Sequence, residues 1–325
     1  AHDGSLISLI QISGVTQLIG STEFERLHEG LTLTLQTALS RSGHALQVLF
    51  QYDREAVSDL LNETLQPGKQ TSQRLHLDLK DLFAERVSFL SKHCASESVY
   101  FVLWTRPSNL TTEQYQRATK DKLKYIRDKK IAPSQLTQSV IAAIPDLRDT
   151  HDAFVRSVMH DLANLNIAAD LLEVHDAVHA IRALADPAFT DKDWRPALPG
   201  DKIPLKEYDK LPHNISDILW PSLARQVLPR DAENIDLRTV RLGDQIYSCV
   251  FIDLLPKEIK SFNILLQRTL AARIPWRISF FIESDGLRSI RLKSILASVL
   301  SFSSAQNRLL SDANNLLQYV AINTD

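Results

Sequence analysis

Residues 241–286, RLGDQIYSCVFIDLLPKEIKSFNILLQRTLAARIPWRISFFIESDG, decide how the fold is read. After the turn pair Gly243-Asp244, residues Ile246, Tyr247, Cys249, Val250, Phe251, Ile252, Leu254 and Leu255 form a run that is apolar on both faces. That is the pattern of an interior strand covered on both sides. Pro256 stops the run and can open a helix, because its fixed φ and missing N–H cost nothing in a first turn. Ile259, Phe262, Leu265, Leu266 and Leu270 then recur at offsets of three and four, one stripe of that helix. Pro275 forces the chain out, and Ile278, Phe280, Phe281 and Ile282 supply a second strand closed by Asp285-Gly286. A strand, a crossover helix and a strand predict parallel pairing with a right-handed crossover. They also predict that Phe251 and Phe280 lie in the core, in neighbouring strands.

Outward from this unit the same alternation recurs. Strands are predicted over 6–12, 45–52 and 99–104, and helices over about 22–39, 55–65 and 75–93, with breaks at Ser13-Gly14, Ser42-Gly43, Pro67-Gly68 and Arg106-Pro107. Phe24, Leu27, Leu31, Leu35 and Leu39 are expected on the buried face of the first helix, and Leu75, Leu79, Leu82, Phe83, Val87 and Leu90 on that of the third. Residues 149–184 read as one or two helices, with Val155, Val158, Leu162, Leu165, Ala169 and Leu172 on one stripe. Between 186 and 234 lie Pro187, Pro196, Pro199, Pro204, Pro212, Pro221 and Pro229, too many for a regular element. Trp194, Tyr208 and Trp220 in that stretch predict an ordered strap on the surface rather than a disordered linker. The fold class expected is α/β (mixed α+β), with β-α-β units forming a mixed sheet. The expected organisation is an N-terminal α/β lobe at 1–130, a mainly helical, Pro-rich insertion at 131–234 and a second β-α-β lobe at 235–325.

Composition removes several function classes. The chain has 325 residues, 44% of them hydrophobic, and a net charge of -2, which excludes a globally basic nucleic-acid binder. No apolar run approaches the roughly 18 residues of a membrane span. Two cysteines, Cys94 and Cys249, fit a reducing compartment, with Cys249 expected as a small core residue. Pro67-Gly68-Lys69-Gln70 is not a phosphate loop, since Glu63 stands where the first glycine belongs and Gln70 where the magnesium-binding hydroxyl belongs. The serine-hydrolase elbow Gly-x-Ser-x-Gly is also missing.

One enzymatic alternative rests on His151-Asp152, His160-Asp161 and His175-Asp176, with His179 one turn beyond His175. These pairs loosely resemble the helical metal-dependent phosphohydrolases named for their His-Asp pair. Under that resemblance His151, His160, Asp161 and His175 would hold a metal and its water nucleophile. Spacings of nine and fifteen residues rotate these side chains to different faces of a continuous helix, so histidines on a solvated polar face are the simpler reading.

Electrostatics offers a second kind of site. Thr111 with Gln114 predicts a capping box, and the helix that follows carries Arg117, Lys120, Lys122, Lys124, Arg127, Lys129 and Lys130 against Asp121 and Asp128. A second basic segment contains Lys257, Lys260, Arg268, Arg273, Arg277, Arg288, Arg291 and Lys293 against Glu258, Glu283 and Asp285. The docking patch expected from the two comprises Arg117, Lys120, Lys122, Lys124, Arg127, Lys129, Lys130, Arg288, Arg291 and Lys293, facing an acidic partner or an anionic lipid surface.

The central unit, with the Asp3-Gly4 opening and the strand ending at Gly14, resembles the amino-terminal region of the VirB-type ATPases of conjugation and type IV secretion. The likeness is greatest to the DotO (IcmB) branch of the Dot/Icm apparatus and its plasmid TraU relatives. Leu242-Gly243-Asp244-Gln245-Ile246-Tyr247, Leu255-Pro256, the leucine-rich helix and the strand to Ile282 carry the resemblance, which extends through Ala305-Gln306-Asn307. It implies a non-catalytic assembly domain, peripheral at the bacterial inner membrane in the cytoplasm, with no cofactor of its own. ATP and Mg would belong to an ATPase domain beyond Asp325, so the chain is expected to be a segment of a longer protein. The partners implied are other subunits of a homo-oligomeric secretion ATPase, inner-membrane components and a second secretion ATPase, with no nucleic acid.

Overall fold

Apolar runs, most of them rich in β-branched and aromatic residues, build five strands: Leu6–Val15 (β1), His44–Asp53 (β2), Ser96–Thr105 (β3), Ile167–Leu171 (β4) and Trp276–Glu283. The last of these is β8, because three short strands precede it in the chain: Ala232–Asn234 (β5), Thr239–Leu242 (β6) and Gln245–Ser248 (β7). The computed structural model describes residues 3–54, 57–129, 138, 144–186, 189–198, 201, 221–229, 232–242, 245–248, 271 and 275–283. The helices are Ser21–Ala38 (α1), Val57–Thr64 (α2), Gln66–Arg74 (α3), Lys80–His93 (α4), Thr112–Lys129 (α5), Arg148–Asn164 (α6), Val174–Ala185 (α7) and Leu223–Val227 (α8). The protein is thus a mixed α/β fold.

Strand order in the main sheet is β4-β1-β3-β2-β8, and every neighbouring pair is antiparallel. Strands β1 and β2 therefore run parallel to each other with β3 inserted between them. The sequence β1-α1-β2-β3-α6-β4 with order 4-1-3-2 is the split β-α-β, ferredoxin-like arrangement, extended at the β2 edge by β8. A second, three-stranded antiparallel sheet joins β5, β6 and β7.

Helices α1 and α6 cover one face of the main sheet. Phe154, Val155, Val158 and Leu162 of α6 form a buried cluster with Ile10, Leu46, Phe101 and Leu103 of the strands. Leu31, Leu35, Ala38 and Leu39 pack on it from the α1 side. A fully buried side chain of this size contributes about 1.5–3 kcal/mol, so this layer carries the stability of the sheet. Leu9, Ala45 and Val102, which alternate with it, are buried on the opposite face.

Several sequence expectations change here. Among the described residues the strands around Ile246 and Phe280 have other partners than each other: β7 pairs antiparallel with β6, and β8 pairs antiparallel with β2, Phe280 opposite Val48. The parallel expectation rested on a crossover helix returning the second strand beside the first, whereas long-range contacts give β8 a different neighbour. Gln47 donates to Ser279 Oγ at 2.9 Å, Arg106 pairs with Glu283, and the Arg106 guanidinium lies over the Phe281 ring at 5.2 Å. Phe251, Cys249 and the predicted crossover helix lie outside the described residues.

Within the 131–234 span, α6 and β4 are integral to the sheet of the first lobe, and β8 from the 235–325 span is hydrogen-bonded to β2. The stretch 149–184 is broken by β4, because Asn166 takes a left-handed φ of 57 and turns the chain out of α6. Ala169, expected on a helical stripe, pairs with Ile12 across the sheet. Pro67-Gly68 is no break: Pro67 opens α3. Residue 75 is not helical, and α4 begins at Lys80 after His76 at φ 54. Of the stripe expected there only Val87 is buried, while Leu75, Leu82 and also Phe24 of α1 are exposed.

Candidate docking site

Helix α5 is built by local chemistry. The Thr111 N–H donates to Gln114 Oε1 at 3.0 Å and the Gln114 N–H donates back to Thr111 Oγ1 at 3.3 Å, the reciprocal capping box that satisfies orphan donors at a helix start. Its base is pinned to the sheet. The Arg106 N–H donates to the Gly43 carbonyl at 2.8 Å, and Asn109 Nδ2 donates to the Ser42 carbonyl at 2.8 Å. Gly43 is required at this crossing: its φ is +86, and a Cβ would stand 2.6 Å from the Asn109 nitrogen.

Beyond that base α5 leaves the sheet. Arg117, Lys120, Lys122, Lys124 and Arg127 are all exposed, and of the described α5 side chains only Ala118 is half-buried. Tyr115 and Leu123 are 50% and 61% exposed. Arg117, Lys120, Lys124 and Arg127 are spaced three, four and three apart, so they share a stripe. Tyr115, Thr119 and Leu123, four apart, form a different one, flanked by Ala118. Over 112–129 six basic side chains stand against Glu113, Asp121 and Asp128, a net charge of +3. Asp128 approaches Arg127 at 3.6 Å, a contact between exposed groups worth little. Lys129 is the last residue of α5; Lys130, Arg288, Arg291 and Lys293 lie outside the described residues.

A second uncovered surface lies on the excursion between β2 and β3. Leu60, Leu75, Leu77, Leu82 and Phe89 are exposed there. Leu82, Glu85, Arg86, Phe89 and Leu90 line a shallow groove of about 370 Å³.

The histidines serve separate purposes. His151 on α6 is buried, with Nε2 2.8 Å from Ser8 Oγ and Nδ1 2.9 Å from Thr105 Oγ1. A neutral imidazole donates through one nitrogen and accepts through the other, so two hydroxyls satisfy it completely. Burial holds its pKa below the ordinary value, opposed in part by Asp152 and reinforced slightly by His44. His160 is exposed on α6. His175 on α7 approaches both Asp201 oxygens at 2.9 and 3.0 Å, and Leu198 N–H donates to the same carboxylate at 2.8 Å. The His175 hydrogen bond, ahead of the Leu198 one, lowers the Asp201 pKa. This pair borders an open cleft of about 610 Å³ with Glu173, Val174 and Leu198. His179 Nε2 donates to the Asp191 carbonyl at 3.1 Å, and its ring packs against Phe189 and Trp194, which also touch each other. The Arg182 guanidinium lies over those two rings at 4.3 and 4.2 Å. Trp194 thus anchors its part of the strap, while Tyr208 and Trp220 lie outside the described residues.

His151, His160, Asp161 and His175 are not brought together, and no group of three or more metal-binding side chains occurs among the described residues. The Ser8–His151–Thr105 cluster was not legible beforehand, because its members are 143 and 46 positions apart. Only the even-numbered alternation of β1 hinted that Ser8 shares a face with Ile10. Compared with known proteins, the chain matches no family model, and no curated protein matches it.

Proposed function

We propose that this chain is a non-catalytic assembly and docking domain of a VirB-type, Dot/Icm-like secretion ATPase that energises protein or DNA export. The observation that carries the reading is α5, an 18-residue helix rooted in the sheet at Gly43 and Asn109 whose basic and apolar stripes both face solvent. A helix whose described side chains bury almost nothing in their own domain draws little stability from tertiary packing, which suits a surface that meets something else. The exposed leucines and Phe89 of the β2–β3 excursion add a second contact surface suited to neighbouring ATPase subunits. The layout resemblance at 241–286 names the machinery, with ATP and Mg handled by a separate domain and inner-membrane components as partners. No helix among the described residues is long and apolar enough to cross a membrane, so attachment in this reading is peripheral.

The test replaces Lys122, Lys124 and Arg127 by Glu in the full-length protein. The assembled secretion complex should then lose this ATPase while its other components remain; retention of the variant at wild-type level overturns the docking reading. The 325-residue chain alone is expected not to bind ATP in calorimetry, and saturable micromolar binding would contradict the non-catalytic assignment.

A further inference from the structure

The two stripes of α5 carry more information than net charge. Tyr115, Ala118, Thr119 and Leu123 occupy one side of the helix, and Lys122, three and four positions after Thr119 and Ala118, stands among them. A protein groove accepting Tyr115 and Leu123 would also have to desolvate the Lys122 ammonium, which requires a matching buried acid. A bilayer makes no such demand. The lysine stem lies along the apolar surface while the ammonium reaches the headgroups, and a tyrosine ring with its polar tip suits the same depth. Arg117, Lys120, Lys124 and Arg127 then lie within about one Debye length of the lipid surface, given a helix diameter of roughly 10–12 Å. Low net hydrophobicity, a basic polar face and an apolar face together are the pattern of helices that lie in a membrane interface.

We infer that α5 is an interfacial anchor that lies in the plane of an anionic bilayer, with Tyr115 and Leu123 inserted and its basic residues over the phosphates. This deepens the docking reading of α5 by naming the partner as lipid, and it does not depend on which ATPase the domain serves. The described sheet domain is placed by α5 at a fixed standoff, since the Gly43 and Asn109 contacts tie the helix base to the end of β2.

The test is co-sedimentation of the 325-residue chain with vesicles of phosphatidylcholine, with and without phosphatidylglycerol, at low and high salt. The expected result is binding only where phosphatidylglycerol is present, falling at least ~10-fold as salt rises. Replacing Arg117, Lys120, Lys124 and Arg127 by Gln should cost ~10-fold or more, and Leu123→Asp should reduce binding comparably. Neither variant should change the melting temperature, because these positions give the core nothing. A Tyr115→Trp variant should show a blue-shifted emission on anionic vesicles. A chain that stays in the supernatant at low salt overturns the inference. So does Leu123→Asp binding at wild-type level, which would reduce α5 to a charged patch, and so does binding of polyglutamate in preference to vesicles, which would point to an acidic protein. If lipid binding fails while the Lys122, Lys124 and Arg127 reversals still remove the ATPase from its complex, the docking reading stands and the lipid partner falls; if lipid binding holds and assembly is unaffected, the reverse applies.

Discussion

Helices α5 and α6 are nearly equal in length, 18 and 17 residues, and both show apolar spacing, yet they play opposite parts. On α6 His151, Phe154, Val155, Val158 and Leu162 are buried against the sheet. On α5 the described side chains remain in water save for half-buried Ala118. The contrast teaches that helical periodicity fixes which residues share a side, while the fold decides whether that side finds a surface. It also separates stability from docking: substitutions on α6 should unfold the protein, and substitutions on α5 should leave it folded and change what it meets.

The largest expected effect breaks the α6 side. Phe154→Ala removes the ring stacked on His44 at a centroid distance of 4.1 Å and leaves a cavity in the main cluster. It should cost about 3–5 kcal/mol, read as a fall in urea midpoint at unchanged slope. Next is His151→Ala, which strips the Ser8 and Thr105 hydroxyls of their shared partner and should cost about 1–3 kcal/mol by the same measurement. A result within experimental error would show that water replaces the imidazole at no cost.

The same core predicts a pH dependence. Burial is the first cause that depresses both His151 and His44 from the ordinary 6.5. In the window between 6.5 and the lower folded values the unfolded chain binds protons that the folded one does not, so protonation favours unfolding. Stability should therefore be complete above about pH 6.5, fall as pH drops through the window and level off below the folded values. Chemical denaturation at a series of pH values checks this, and His151→Gln should flatten the slope. A slope of opposite sign would mean that the buried imidazoles are charged in the native state.

Smaller effects sharpen the α5 side. Gly43→Ala puts a Cβ against the Asn109 backbone at a left-handed φ and should cost about 1–3 kcal/mol, loosening the root of α5 more than the core. Hydrogen exchange of the Asn109 and Leu110 amides should report that loosening. Leu123→Ala, at a position 61% exposed, should change the melting free energy by less than about 0.5 kcal/mol. A larger loss would mean that α5 is packed after all, and the contrast with α6 would collapse.

How much could be read in advance follows from how far apart the interacting residues are. By itself the sequence determined the mixed α/β class, the three strands around 6–12, 45–52 and 99–104, the capping box at Thr111 and Gln114, and the basic character of α5. Each is set by residues within a few positions of one another, through caps, turns and the two side-chain periods. Tertiary structure alone decided that β8 pairs with β2, that Ala169 lies in β4 rather than on a helix, that His151 is enclosed by Ser8 and Thr105, and that Leu123 stays in water while Leu162 does not. Strand pairing and burial are settled by contacts across scores of residues, where an apolar or polar side chain has many candidate neighbours and its own identity does not choose among them.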